Sequence, residues 1–268
     1  MTTQEFSNSF DTLLNSYSVQ ASFGEGASKI EITLDEYEKS VLLTQAQDLI
    51  VKSYFYRSQE SQGQGFDDSE RRQVDFSSLI KTAELTKASD QSSVFDDRGI
   101  IYKLPLKRVN GNPVEGTTDV LFILNEKLVV VGSNIRENYV IIPLNYKEYD
   151  REMSKAYSQP LKKQAWRLFQ NQSAGFDVQS ELIPIWDISE ELTATVPTKE
   201  AIYKVRYVKR PDPIVLVNLP DGLSIDGVTS RTECALNPIL HMDILNKAVE
   251  LALTTRGRIS NRSQNQGE

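Results

Sequence analysis

The chain has 268 residues, with thirty Lys and Arg against thirty-seven Asp and Glu, a formal net charge of −7 and 39% hydrophobic residues. That suits one large domain or two small ones around a thin core, and it is too apolar for a disordered polyanion. A single Cys (Cys234) and a single His (His241) exclude a disulfide framework and a closed thiolate or imidazole zinc site, and the longest apolar run, Val120 to Leu124, is far too short to span a bilayer, so the sequence reads as that of a soluble protein with no membrane partner.

Taken in chain order, Phe6, Phe10, Leu13, Leu14 and Tyr17 recur at helical spacing and predict an amphipathic helix over the first eighteen residues, ended by a turn at Gly24 and Gly26. Thr33 and Glu36 fit a capping box that opens a second helix of roughly twenty-four residues, with Leu34, Tyr37, Val41, Leu42, Ala46, Leu49, Ile50 and Tyr54 as its apolar stripe. Ser58 to Gly65 reads as a linker. Asp67, Asp68 and Glu70 then favour the start of a third helix through Val74, Leu79, Ile80 and Ala83.

After about residue 90 the periodicity turns to short β-branched runs. Strands are expected at Ile100 to Leu104, Asp119 to Leu124, Leu128 to Val131, Tyr139 to Ile142, Ala165 to Gln170, Val178 to Ile185, Ile202 to Lys209 and Ile214 to Val217. Asn125-Glu126-Lys127 would be a short hairpin connection, and Pro143 to Tyr157 a brief helical or irregular insert. Asn237-Pro238 caps a closing helix with Leu240, Ile244, Ala248, Leu251 and Ala252 on its apolar side, ending near Gly257 and followed by a polar tail. These patterns predict an α+β fold: a helical bundle formed by the N-terminal helices and the C-terminal helix, with an inserted antiparallel β region. The expected boundaries are 1–90, 91–232 and 233–268.

Candidates for chemistry are few. His241 lies within a helical pattern and reads as a packed or surface His. The Gly pairs Gly24/Gly26 and Gly63/Gly65 do not follow a buried strand, so they are poor phosphate loops, and there is no GxxxxGK[ST] or HExxH motif. Asp67/Asp68, Asp96/Asp97 and Glu190/Glu191 read as helix starts and solvated loops, and Trp166 and Trp186 as core residues rather than a sugar platform. No catalytic residue, cofactor or metal ligand is therefore expected. Charge is more informative: residues 1 to 98 hold nine basic and seventeen acidic groups, and residues 99 to 268 hold twenty-one and twenty. A molecule polarised in this way can bind itself, acidic helices against a neighbour's basic strand. Lys204, Arg206, Lys209 and Arg210 are the concentrated basic cluster and the candidate subunit interface. Tyr203 and Tyr207 alternate onto the opposite face, which argues against base stacking, and a strand edge blunted by Lys and Pro explains the cluster simply.

Four segments carry a family resemblance: LDEYEKSVLLTQAQDLIV at Leu34 to Val51, FDDSERRQ at Phe66 to Gln73, YKVRYVKRPDPIVL at Tyr203 to Leu216, and LNPILHMDILNKAVELAL at Leu236 to Leu253. In style and order the sequence resembles the head-to-tail connector, or adaptor ring, proteins of short-tailed, crAss-like bacteriophages. The resemblance implies a structural virion protein at the portal vertex or tail, assembled in the host cytoplasm. It would form a ring of twelve copies under the portal protein, beside other tail ring proteins, and continue a channel through which double-stranded DNA passes without specific binding. It also implies a terminal anchor, for which Arg256, Arg258, Ile259 and Arg262 would dock on the portal or a neighbour. The alternatives are another tail or capsid-decorating protein and a carboxylate-based glycan hydrolase.

Overall fold

The computed structural model describes residues 1–21, 34–60, 74–88, 99–109, 112–132, 136–155, 160–171, 178–184 and 199–264. In chain order the elements are α1 (Thr3–Ala21), α2 (Glu36–Glu60), β1 (Ile80–Thr86), β2 (Ile100–Lys103), β3 (Leu106–Val109), β4 (Asn112–Thr118) and β5 (Val120–Val131). They continue with β6 (Arg136–Pro143), α3 (Tyr146–Met153), β7 (Gln164–Asn171), β8 (Val178–Pro184), β9 (Glu200–Lys209) and α4 (His241–Gln264). Two compact units result, Met1–Leu79 with Pro211–Glu268, and Ile80–Arg210.

In the first unit α1, α2 and α4 pack on one another. Phe6, Phe10 and Leu14 of α1 are fully buried at helical spacing. The cap of α2 lies two residues later than the capping box predicts. Asp35 accepts the Glu38 N–H at 2.7 Å, and the Glu38 carboxylate accepts the Asp35 N–H at 3.3 Å, while Thr33 lies outside the described residues. Glu36 is thereby free to accept Ser7 Oγ–H at 2.7 Å and to join Asp11 around the buried Lys39, whose Nζ is 2.9 Å and 2.7 Å from the two carboxylates. Burial alone would lower the Lys39 pKa, but the hydrogen bonds and charges of Asp11 and Glu36 prevail and raise it. At the other end of the unit, Asn237 accepts the Ile239 N–H at 3.2 Å and Pro238 opens a 3-10 turn that runs into α4. Ile244, Leu245, Ala248 and Val249 form the buried side of α4.

The second unit is built around a seven-stranded sheet in the order β1-β9-β5-β6-β7-β8-β2, curled into a half-barrel, with β3 and β4 paired separately. All its neighbouring pairs with an assigned direction are antiparallel except β6 and β7, which are parallel. The inward face carries Tyr102, Leu128, Val130, Tyr139, Ile141, Ala165, Leu182, Tyr203 and Val205 as one core. On the back, Trp166, Leu168 and Ile183 pack with Tyr149 of α3, Trp166 and Tyr149 meeting edge to face at 6.3 Å. Asn145 and Glu148 form a reciprocal cap for α3, so the insert takes the helical of its two expected forms, and Trp166 is a core residue.

The expected fold class is corrected by this sheet: the chain is organised on a curled mixed sheet, not on a helical bundle that carries an inserted antiparallel region. Much of the error lies in the predicted third helix. Leu79, Ile80 and Ala83 fit helical spacing, but Ile80–Thr86 is strand β1, where Ala83 and Leu85 face the core at period two and β9 supplies the hydrogen bonds. The start of that helix, Asp67 to Glu70, lies outside the described residues. The hairpin at Asn125-Glu126-Lys127 is also absent. The segment has none of the positive-φ residues that a tight hairpin turn needs, and β5 runs straight through it with register shifts after Val120 and after Ile123. Finally, β9 is flanked by β1 and β5, so it is not an edge strand, and α4 continues through Gln264 instead of ending near Gly257. One helical Gly costs about 1 kcal/mol, which is too little to stop a helix that no Pro follows.

Candidate assembly surfaces

The segment after β9 forms a strap rather than the strand expected at Ile214 to Val217, and α2 is cut to receive it. Pro211 and Pro213 keep the chain extended and donate nothing, so the remaining backbone groups need other partners. They find them on the helix: Leu216 N–H donates to Ser40 Oγ at 3.0 Å, Ile214 N–H to Thr44 Oγ1 at 3.1 Å, and Gln47 Nε2–H donates to the Asp212 carbonyl at 2.9 Å. The match is geometric. Four residues of helix rise about 6 Å and two residues of extended chain about 6.7 Å, so polar residues at helical spacing meet alternate residues of a strap. This is why Ser40, Thr44 and Gln47 are buried while Leu49, placed in the expected apolar stripe, is 43% exposed. Two bridges, Val215 to Thr232 and Ile225 to Val228, the second around a two-residue Asp226-Gly227 turn with positive φ at both positions, fold the strap back. Cys234 Sγ then donates to Gln47 Oε1 at 3.3 Å, and burial raises its pKa, which makes it a packing residue and not a reactive thiol.

His241 is likewise a packing residue. It is 4% exposed, and its ring lies 5.2 Å from that of Phe6, tilted by 45°. Nδ1 lies 2.7 Å from the Met1 amino group and Nε2 3.1 Å from the Leu236 carbonyl, so the neutral ring accepts at Nδ1 and donates from Nε2. Burial, aided by the nearby amino group, lowers its pKa against the opposing pull of the Leu236 carbonyl.

Inside the sheet unit the buried chemistry is an ion pair. Arg167 Nε lies 3.0 Å and 2.9 Å from the two Glu126 oxygens, both side chains are 8% exposed, and Tyr203 O–H donates to the same carboxylate at 2.6 Å. Arg167 also lies over the Phe169 ring at 4.1 Å. Burial first, and then the Glu126 charge, raise the Tyr203 pKa far beyond its ordinary range, so the hydroxyl stays a donor. The carboxylate is thus held between a fixed cation and a fixed donor, an arrangement that locks strands together and leaves no group poised for proton transfer.

The outward face of the same sheet is where the sequence-predicted basic cluster divides. Lys204 and Arg206 point outward from β9, and Tyr203, Val205 and Tyr207 point into the core, as the alternation predicts. Lys209 is half-buried at the strand end, and Arg210 lies past it with its N–H donated to the Asp119 carbonyl at 2.9 Å. Two residues that sequence reasoning missed join Lys204 and Arg206: Lys127, directly opposite Lys204 in the β5–β9 register, and exposed Arg136 of β6. The available signal was Lys127 alternating with Val129 and Val131, obscured by the mistaken hairpin. Arg256, Arg258, Ile259 and Arg262 fall on the last turns of α4, in the other unit. The doublets Asp67/Asp68, Asp96/Asp97 and Glu190/Glu191, the Gly pairs and Trp186 lie outside the described residues.

Charge follows the division into units. Met1–Leu79 with Pro211–Glu268 holds eleven Lys and Arg against twenty Asp and Glu, net −9, and Ile80–Arg210 holds nineteen against seventeen, net +2. Among the described residues no group of His, Cys, Asp and Glu has the arrangement of a metal site, and no helix is long and apolar enough to cross a membrane. Residues 1–264 match the family described as phage tail ring protein 3/4. Two proteins of Bacteroides phage crAss001 are similar over nearly their full lengths. Ring protein 4/5 is 40% identical over 256 residues, 94% of this chain and 92% of that protein. Ring protein 3 is 31% identical over 261 residues, 97% and 98% of the two chains.

Proposed function

Starting from the membership of this chain in the phage tail ring protein 3/4 family, which makes it a structural tail ring protein of the virion, we propose that its copies close into a ring that connects head to tail and continues the DNA channel. The observation that carries this reading is the charge split between the units, net −9 against net +2. A ring needs two different surfaces on each copy that fit one another, and opposite charge on two separate units supplies them. An acidic unit also suits a channel through which duplex DNA slides, because it repels phosphate where a basic lining would retain it. No catalytic step is required of such a protein.

The end of α4 is the proposed anchor to the portal or to an adjacent ring. Its continuation through Gln264 puts Arg256, Arg258, Ile259 and Arg262 on helix, with Arg258 and Arg262 one turn apart, in place of an irregular tail. Electron microscopy of virions is the test. Closed rings of this chain at one vertex, between portal and tail, are expected. Copies spread over the capsid would overturn the reading.

A further inference from the structure

We propose that the outward sheet face around Lys127, Lys204, Arg206 and Arg136 is the docking surface for the acidic start of α1 and α2 of a second copy of this chain, the next subunit of the ring. The inference rests on the ring reading above and names the surface that would close it. Lys127 stands directly opposite Lys204 across β5 and β9, a like-charge pair that a sheet ordinarily disfavours. Arg206 occupies the next outward position on β9, and Arg136 projects from β6 on the same side. Lys127, Arg136 and Arg206 are exposed, so among the described residues nothing covers these charges, although Val129 beside them on the same face is buried. The acidic members of the face are Glu84 of β1, which holds Lys204 in an ion pair, and exposed Glu200 at the start of β9, across Val131 from Arg136. The hydrogen bond and charge of Lys204, and then Arg136 and Lys127, keep the Glu84 carboxyl below its usual range. Val140, opposite Lys127 and 63% exposed, adds an apolar spot among the charges.

The occupant follows from charge complementarity. Glu5, Asp35 and Glu38 are exposed at the starts of α1 and α2, and the Ser7 to Glu36 hydrogen bond ties those two starts together. They belong to the unit of net −9, and the basic face belongs to the other. Contact between unlike surfaces of successive copies is heterologous, which is the kind of interface that generates rings. Exposed charges at such an interface set register, rate and partner choice, so the association should weaken steeply with salt.

Two charge-reversed full-length chains test this. Lys127→Glu with Arg206→Glu inverts the sheet face, and Glu5→Lys with Asn8→Lys inverts the helical end without touching the Asp35 and Glu38 cap. Circular dichroism verifies that each is folded, and sedimentation reads assembly. Each variant alone should self-associate at least about tenfold more weakly than the natural chain. An equal mixture should recover, because each inverted surface then meets its complement in an alternating ring. Variants that associate normally, or a folded pair whose mixture does no better than either alone, would overturn the surface. So would a sheet-face variant that assembles normally and loses only retention of duplex DNA, since the face would then be a nucleic-acid surface. A natural chain that stays monomeric both in solution and in tail particles would instead overturn the ring reading.

Discussion

The strap of the helical unit and the core of the sheet unit both bury polar side chains, and the difference in how they satisfy them separates two kinds of stability. Lys39, the buried cation of the helical unit, is paired with the more exposed Asp11 and Glu36 and stands apart from both. In the helical unit Ser40, Thr44 and Gln47 take up the backbone groups of the strap at residues 212 to 216, so each contact is one neutral hydrogen bond that can be lost singly. In the sheet unit the buried ion pair of Glu126 with Arg167 concentrates the same task in one place and takes Tyr203 with it. Distributed neutral bonds tolerate damage. A concentrated charge pair does not, because removal of one partner leaves the other charged and buried.

That contrast can be broken at its stronger end first. Arg167→Met should destabilise the sheet unit by about 3–5 kcal/mol, measured by urea unfolding of the full chain followed by tryptophan fluorescence. Addition of Glu126→Gln should return part of the loss. An Arg167→Met chain as stable as the natural one would remove the distinction. Thr44→Val keeps the shape of the side chain and strands the Ile214 N–H, so the helical unit should lose about 1–3 kcal/mol with the sheet unit unaffected. Hydrogen exchange at Ile214 and Leu216 reports it, and unchanged protection there would show that the strap does not depend on the ladder.

A smaller effect sharpens the comparison through pH. His241 has a folded pKa below its ordinary value of 6.5, so the unfolded chain takes up the proton first. The stability this gives the helical unit is complete above about pH 6.5, falls as the pH drops toward the folded pKa, and is level below it. With one His in the chain, urea midpoints between pH 7.5 and 5.5 should fall in the natural protein and stay flatter in His241→Gln. Equal slopes would mean that the ring titrates freely. The smallest change in stability is expected for Lys127→Glu on the outward sheet face, within about 0.5 kcal/mol, because it is exposed and relieves a like-charge pair. A large loss in that variant would assign Lys127 to the fold and not to assembly.

How much of this was legible from the sequence depended on the distance between partners. The faces of α1 and α4 could be read because Phe6, Phe10, Leu14, Ile244 and Ala248 are buried at the spacing that their own helices dictate. Most strands were legible for the same reason, by period two. What was missed is non-local. Segment Ile80–Thr86 becomes a strand because β9, more than a hundred residues later, offers it hydrogen bonds. The buried stripe of α2 contains Ser40, Thr44 and Gln47 because a strap some 170 residues away needs them, and an apolarity count discards such positions. Glu126, read as a hairpin residue, faces inward because register shifts in β5 and an Arg on β7 place it there. The family resemblance was carried partly by the segments that meet in this way, Leu34 to Val51 and Tyr203 to Leu216, so it reported packing before the packing could be derived.

The direct measurement of the central claim is the structure of an assembled tail that contains this chain, resolved to side chains. The account predicts a closed ring in which Lys127, Lys204 and Arg206 of each copy lie within ion-pair distance of Glu5, Asp35 or Glu38 of the next. A ring that closes through other surfaces, with this face bare or against DNA, would contradict it.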